Sequence, residues 1–122
     1  MVGIDEAQLM LDELAAELPP VFFDRLNGGI SLLPDVRINP HGRNNELYTL
    51  GEYHAGGAMG RYISIYYGSI QRVYGYLDKN GMREQLKHIL LHEFTHHMES
   101  MAGERGLEIK DRDQLRRYLD TH

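Results

Sequence analysis

The residues of this chain best suited to chemistry form the string His92-Glu93-Phe94-Thr95-His96. On a helix, four residues span a little over one turn, so the two imidazoles leave one face and can bind one tetrahedral ion. Glu93, next to the first imidazole, is placed to take a proton from a water on that ion. Zinc lowers the pKa of such a water toward about 7, which would supply a nucleophile at neutral pH. There is no cysteine, so disulfides, thiolate zinc sites and a cysteine nucleophile are excluded, and a bound metal must rest on His and carboxylate.

The flanking pattern agrees with a helix that has a chemical face. With residues placed every 100° from Met82, the side chains of Leu86, Leu90, Phe94, Met98 and Met101 fall between about 40° and 160°. His92 and His96 fall near about 280° and 320°, away from that apolar stripe. Glu93 lies near about 20°, at the border, where burial would raise its pKa toward that of a useful base. His97 projects near about 60°, inside the stripe, and reads as a core histidine or one that orients a ligand. His88 reads as a rim residue, and His41 and His54 as polar residues in or beside loops.

A catalytic zinc site takes three protein ligands and leaves one position for water. The downstream carboxylates include Glu99, Glu104, Glu108, Asp111 and Asp113. Glu99 lies near about 260°, on the face of the histidine pair. Asp111 would return after a turn at Gly103, approaching from a direction nearer to tetrahedral than a third residue on the same helix does. Asp111 is the favoured third ligand, with Glu99 and Glu104 as alternatives.

Around this helix the expected architecture is α+β. Apolar residues at helical spacing predict a first helix over 4–18, closed by Pro19-Pro20, and a short helical piece over 21–26. Alternating and β-branched stretches predict strands at 30–33, 36–38, 47–50 and 61–67, a small mixed sheet of three or four strands. Ser69 is expected to cap a short helix to residue 77, and a turn at 78–81 precedes the site helix over 82–101. Gly103 is expected to stop that helix, and 111–119 to form a short final one.

The 122 residues suit a single domain over 1–122, and 42% hydrophobic with 25% charged residues fits a packed globular fold. A formal charge of −5 disfavours nucleic acid and anionic membrane surfaces as partners. The first twenty residues are acidic and broken by polar positions, unlike a signal peptide or a spanning helix, so a cytoplasmic location is the expectation.

The stretches Ile63-Ser64-Ile65-Tyr66-Tyr67-Gly68-Ser69 and Ile89-Leu90-Leu91-His92-Glu93-Phe94-Thr95-His96-His97 resemble those of the short bacterial minimal zincin-like metallopeptidases, over residues 18–119. That group commonly shows HExxHxxGxxD, whose final Asp is the third ligand. Here Glu99 and Ala102 stand at the Gly and Asp positions, and Asp111 reaches the ligand position if 99–108 is an insertion. The resemblance implies a minimal zincin-like fold, one zinc ion, Glu93 as general base and hydrolysis of a peptide or protein substrate. It also implies a substrate-binding edge strand, for which 61–67 is the candidate; of the eight tyrosines, Tyr66 and Tyr67 are the candidates to line a cleft, the alternative being plain sheet packing. The alternative is a catalytically inactive or weakly active zinc-binding domain that recognises a partner; a third reading makes the zinc structural. Peptide deformylase chemistry is disfavoured because it takes a cysteine ligand.

Overall fold

The computed structural model describes residues 2–40, 47–58 and 60–105, apart from the side chains of Glu104 and Arg105. The first helix, α1 (Ile4–Ala16), buries Ala7, Met10, Leu11 and Leu14 and carries Asp5 and Glu6 in its first turn. It ends two residues earlier than expected, because a residue before proline is pushed out of the α region and Leu18 precedes Pro19. The short piece that follows is a 3-10 turn over Pro20–Phe23, tighter and shorter than the expected 21–26.

Three strands form one mixed sheet: β1 (Gly29–Leu33), β2 (Gly51–His54) and β3 (Tyr62–Tyr66), in the order β1-β3-β2. β3 is parallel to β1 and antiparallel to β2. The strand expected to bind substrate is therefore the central one, with both edges already paired, and the free edge beside the site belongs to β2. Residues 36–38 and 47–50, expected as strands, meet only in an isolated bridge between Ile38 and Tyr48. Val36 and Ile38 stay exposed there, so no buried face fixes a longer register. β2 escapes a propensity reading because Gly and Glu are poor strand formers; its pairing with β3 and its packing against the site helix recruit it.

Helix α2 (Tyr67–Tyr74) follows β3 without a loop. Ser69 does not cap it; the hydroxyl accepts from the Arg37 N–H at 2.6 Å and donates to the Arg37 carbonyl at 3.1 Å. This crossing requires Gly68, since a Cβ there would collide with the carbonyl oxygens of Pro34 and Asp35. The long helix α3 (Lys79–Arg105) starts three residues before the expected 82 because Asp78 Oδ1 caps it, accepting the Gly81 N–H at 2.8 Å. It also runs through Gly103, which is not left-handed here. An isolated glycine weakens a helix by about 1 kcal/mol and ends it only when it turns left-handed.

The apolar stripe of α3 packs as its spacing requires: Met82, Leu86, Leu90, Phe94 and Met98 join α1, Ile63, Ile65 and Ile70 in one core. Phe94 anchors its centre, with ring centroids 5.9 Å from Phe22 and 5.2 Å from Phe23. Among the described residues no helix is long and apolar enough to cross a membrane. The expected helix over 111–119 lies outside the described residues.

Two glycine replacements test this reading with opposite signs. Gly68→Ala should lower unfolding free energy by roughly 1–3 kcal/mol in urea titrations, the usual cost of overpacking. Gly103→Ala meets nothing within 4 Å and should raise it by roughly 0.5–1 kcal/mol, because the helix continues through that position.

Candidate metal centre

The helical spacing of His92 and His96 has the expected result: both side chains stand on the exposed face of α3, and their Nε2 atoms lie 3.2 Å apart. The rings meet edge to face, with centroids 4.7 Å apart and planes at 88°. At this separation one Nε2–H can donate to the other nitrogen, or both lone pairs can converge on one cation. Two nitrogens of a tetrahedral zinc, each bonded at about 2.0–2.1 Å, are separated by roughly 3.3–3.4 Å. The pair fits that edge. Partial desolvation against the helix, then the neighbouring His96 and His88, lower the His92 pKa, and Glu99 opposes them, which favours the neutral ring that a metal ion requires.

Glu93 occupies the border of the same helix and is 5% exposed. Its carboxylate lies under Gly51 of β2, where an added Cβ would come within 3.3 Å of Oε2 and Cγ and 3.1 Å of Ile89 Cγ2. Glycine at this position lets the strand descend onto the carboxylate. Burial, with a smaller push from the Glu52 carboxylate, raises the Glu93 pKa to about 7.

One cleft, about 560 Å³, lies between β2 and α3 and is lined by Gly51, Glu52, Tyr53, His92, Glu93 and His96. A second, about 410 Å³, opens beyond Gly51 toward Tyr48 and His88 and shares Gly51, His92 and Glu93 with the first. A groove therefore runs along the open side of β2 across the histidine pair. The Tyr66 N–H donates to the Leu50 carbonyl at 2.9 Å, which makes residues 50 and 66 a hydrogen-bonded pair. By antiparallel alternation the backbone groups of Glu52 and His54 also turn to β3, while those of Gly51 and Tyr53 face the groove.

The tyrosines expected in the cleft are elsewhere. Tyr66 lies on the sheet face opposite Ile63 and Ile65, and its hydroxyl donates to Glu52 Oε1 at 2.6 Å beneath the Arg37 guanidinium. Burial and Glu52 push its pKa up to about 12. Tyr67 is buried in the core, and its hydroxyl donates to the Val2 carbonyl at 2.5 Å. Strand alternation turns Tyr66 away from α3, Tyr67 opens α2 with its ring in the core, and the tyrosine that lines the groove is Tyr53. Sequence reasoning missed Tyr53 and Gly51 because their role depends on a strand that propensity does not reveal.

The remaining histidines divide as their positions allow. His97 is buried in the core, with Nδ1 2.9 Å from the Tyr53 hydroxyl and Nε2 2.8 Å from the Asp24 carbonyl. His88 is an exposed rim residue one turn before His92. His54 ends β2 and stacks on Tyr62 at 4.2 Å, while His41 and His122 lie outside the described residues. For the third ligand, Glu99 is exposed on α3, and among the described residues no three His, Asp or Glu side chains form a cation-binding group. Asp111 and the side chain of Glu104 lie outside the described residues.

Comparison with known proteins yields a structural match without an activity. No protein-family model and no curated protein matches the chain. A solved structure, a conserved hypothetical protein from Thermus thermophilus, superposes with a TM-score of 0.72. The two sequences are 28% identical over 84% of this chain and 99% of that one.

The buried carboxyl makes a thermodynamic prediction for metal-free protein. Its pKa is raised in the fold, so this group favours folding below its unfolded value near 4.5, and the contribution is lost as pH rises through about 7. Glu93→Gln should therefore be more stable than the unmodified protein at pH 8, by on the order of 2 kcal/mol. Denaturant titrations at pH 8 and pH 4.5 should show that gap closing at the lower pH.

Proposed function

We propose that the chain is a zinc-dependent hydrolase that cleaves a peptide or amide bond of an extended substrate. The observation that carries this reading is the convergence in one groove of the imidazole pair, the buried Glu93 carboxyl and the open backbone edge of β2. His92 and His96 would hold the ion, and Asp111 is assigned as the third ligand, with Glu104 as the alternative on α3. Zinc, when bound, supplies Lewis acidity that polarises the scissile carbonyl and acidifies water.

The work of the chain's own residues follows from their places. Glu93 accepts a proton from the attacking water and returns it to the leaving amine, so one carboxyl acts as base and then as acid. Its burial against Gly51 limits bulk water at the carboxyl, while its other side lines the groove where the attacking water would stand. Gly51 and Tyr53 offer backbone donors and acceptors to a peptide that joins the sheet as a further strand, which gives affinity without demanding a side-chain sequence. This assigns to β2 the substrate strand that the resemblance to zincin-like peptidases placed at 61–67. The acidic composition, free of cysteine, fits a reducing cytoplasmic compartment for this activity.

Metal content and turnover test the reading together. The purified chain should bind about one zinc per molecule, and His92→Ala or His96→Ala should abolish that binding. Glu93→Gln should keep the zinc and lose roughly 10²–10⁴-fold in peptide hydrolysis. Asp111→Ala should weaken zinc binding while Glu99→Ala leaves it intact. A Glu93→Gln protein with full activity would exclude the mechanism.

A further inference from the structure

His97 is fully buried one helical turn after Glu93, and no step of the proposed hydrolysis uses it. A backbone carbonyl only accepts, so the 2.8 Å contact with the Asp24 carbonyl places the ring proton on Nε2. Nδ1 is then the bare nitrogen, and the Tyr53 hydroxyl donates to it across 2.9 Å. One imidazole thereby joins three separate stretches of chain: α3, the groove-facing strand β2, and the end of the 3-10 turn at Asp24.

Tyr53 is one of the two strand residues whose backbone groups face the groove, so a shift of its ring moves the edge that a substrate would pair with. Gly51, the other, has no side chain with which to anchor itself and only rests on Glu93 and Ile89. Among the described residues, the side-chain hydrogen bond that ties β2 to α3 along the groove is therefore the one from Tyr53 to His97. An added strand lies about 4.7–4.9 Å from its neighbour, so the height of β2 sets where the scissile bond falls. A displacement of about 1 Å from the reactive geometry can cost on the order of 10²-fold in rate.

We propose that His97 is a positioning residue for an extended peptide, which, by clasping Tyr53 to the Asp24 carbonyl, fixes the free edge of β2 above His92, Glu93 and His96. The role rests on the hydrolase reading above. His97 touches neither the reacting bond nor the groove-facing nitrogens of the histidine pair; it acts through Tyr53.

The experiment compares two zinc-chelating probes on zinc-loaded protein by calorimetry: acetohydroxamate, which reaches only the metal, and an N-acetylated Leu-Ala-Gly hydroxamate, which also lies along β2. Tyr53→Phe keeps the ring and removes the donor. It should leave acetohydroxamate affinity within twofold and weaken the peptidyl probe at least tenfold, and His97→Leu should do the same. Loss of folded protein lowers the number of sites for both probes alike and leaves the ratio of affinities unchanged, so a merely structural defect does not imitate the result. An unchanged ratio in Tyr53→Phe overturns the positioning role while the metal reading stands. Unmodified protein that binds neither probe removes the metal reading and, with it, the role of His97.

Discussion

Strand β2 and helix α3 run side by side in the same sense with repeats that nearly coincide. Two strand residues advance about 6.6–6.8 Å and four helical residues about 6.0 Å. Gly51 therefore meets Glu93 and Tyr53 meets His97, one strand repeat against one helical step. The rest of the site depends on this match. It buries Glu93 and aims the open edge of β2 along the groove, leaving His92 and His96 exposed on the flank of the helix.

Placing a carboxyl in that seam is unfavourable by itself, and the raised pKa of Glu93 expresses the cost. The fold tolerates it because α3 is held firmly from its other side. Phe94 lies between Phe22 and Phe23, and Leu86, Leu90 and Met98 pack against α1 and the sheet. Apolar packing on one face thus stabilises a costly polar arrangement on the other, a division common where chemistry is done. Gly68 serves the same end at a distance. It lets the chain after β1 cross close over α2, which seats β3 between its two neighbours.

The helix and its faces are legible in the sequence because they rest on local periodicity. The stripe from Leu86 to Met101, the opposed histidine pair, the border position of Glu93 and the inward His97 all follow from a 100° step. The α+β class and β1 are legible for a similar reason. What stays hidden depends on contacts distant in sequence. Gly51-Glu52-Tyr53-His54 does not read as a strand, since β3 and α3 confer that conformation. Without β2 as an edge, the richest β stretch reads as the exposed one, and Tyr66 and Tyr67 are expected in a groove that Tyr53 lines instead. Gly103 reads as a stop because composition alone does not reveal whether a glycine turns left-handed. Asp78 reads only as part of a turn, although an Asp just before a helix is itself a capping signal.

The proposed function stands on the histidine pair of α3 as part of an open zinc site. X-ray absorption at the zinc edge of the loaded protein tests it most directly. The expected result is a four-coordinate shell of two imidazole nitrogens and two oxygens at about 2.0–2.2 Å. A zinc shell made only of oxygens, with no imidazole scattering, would contradict it.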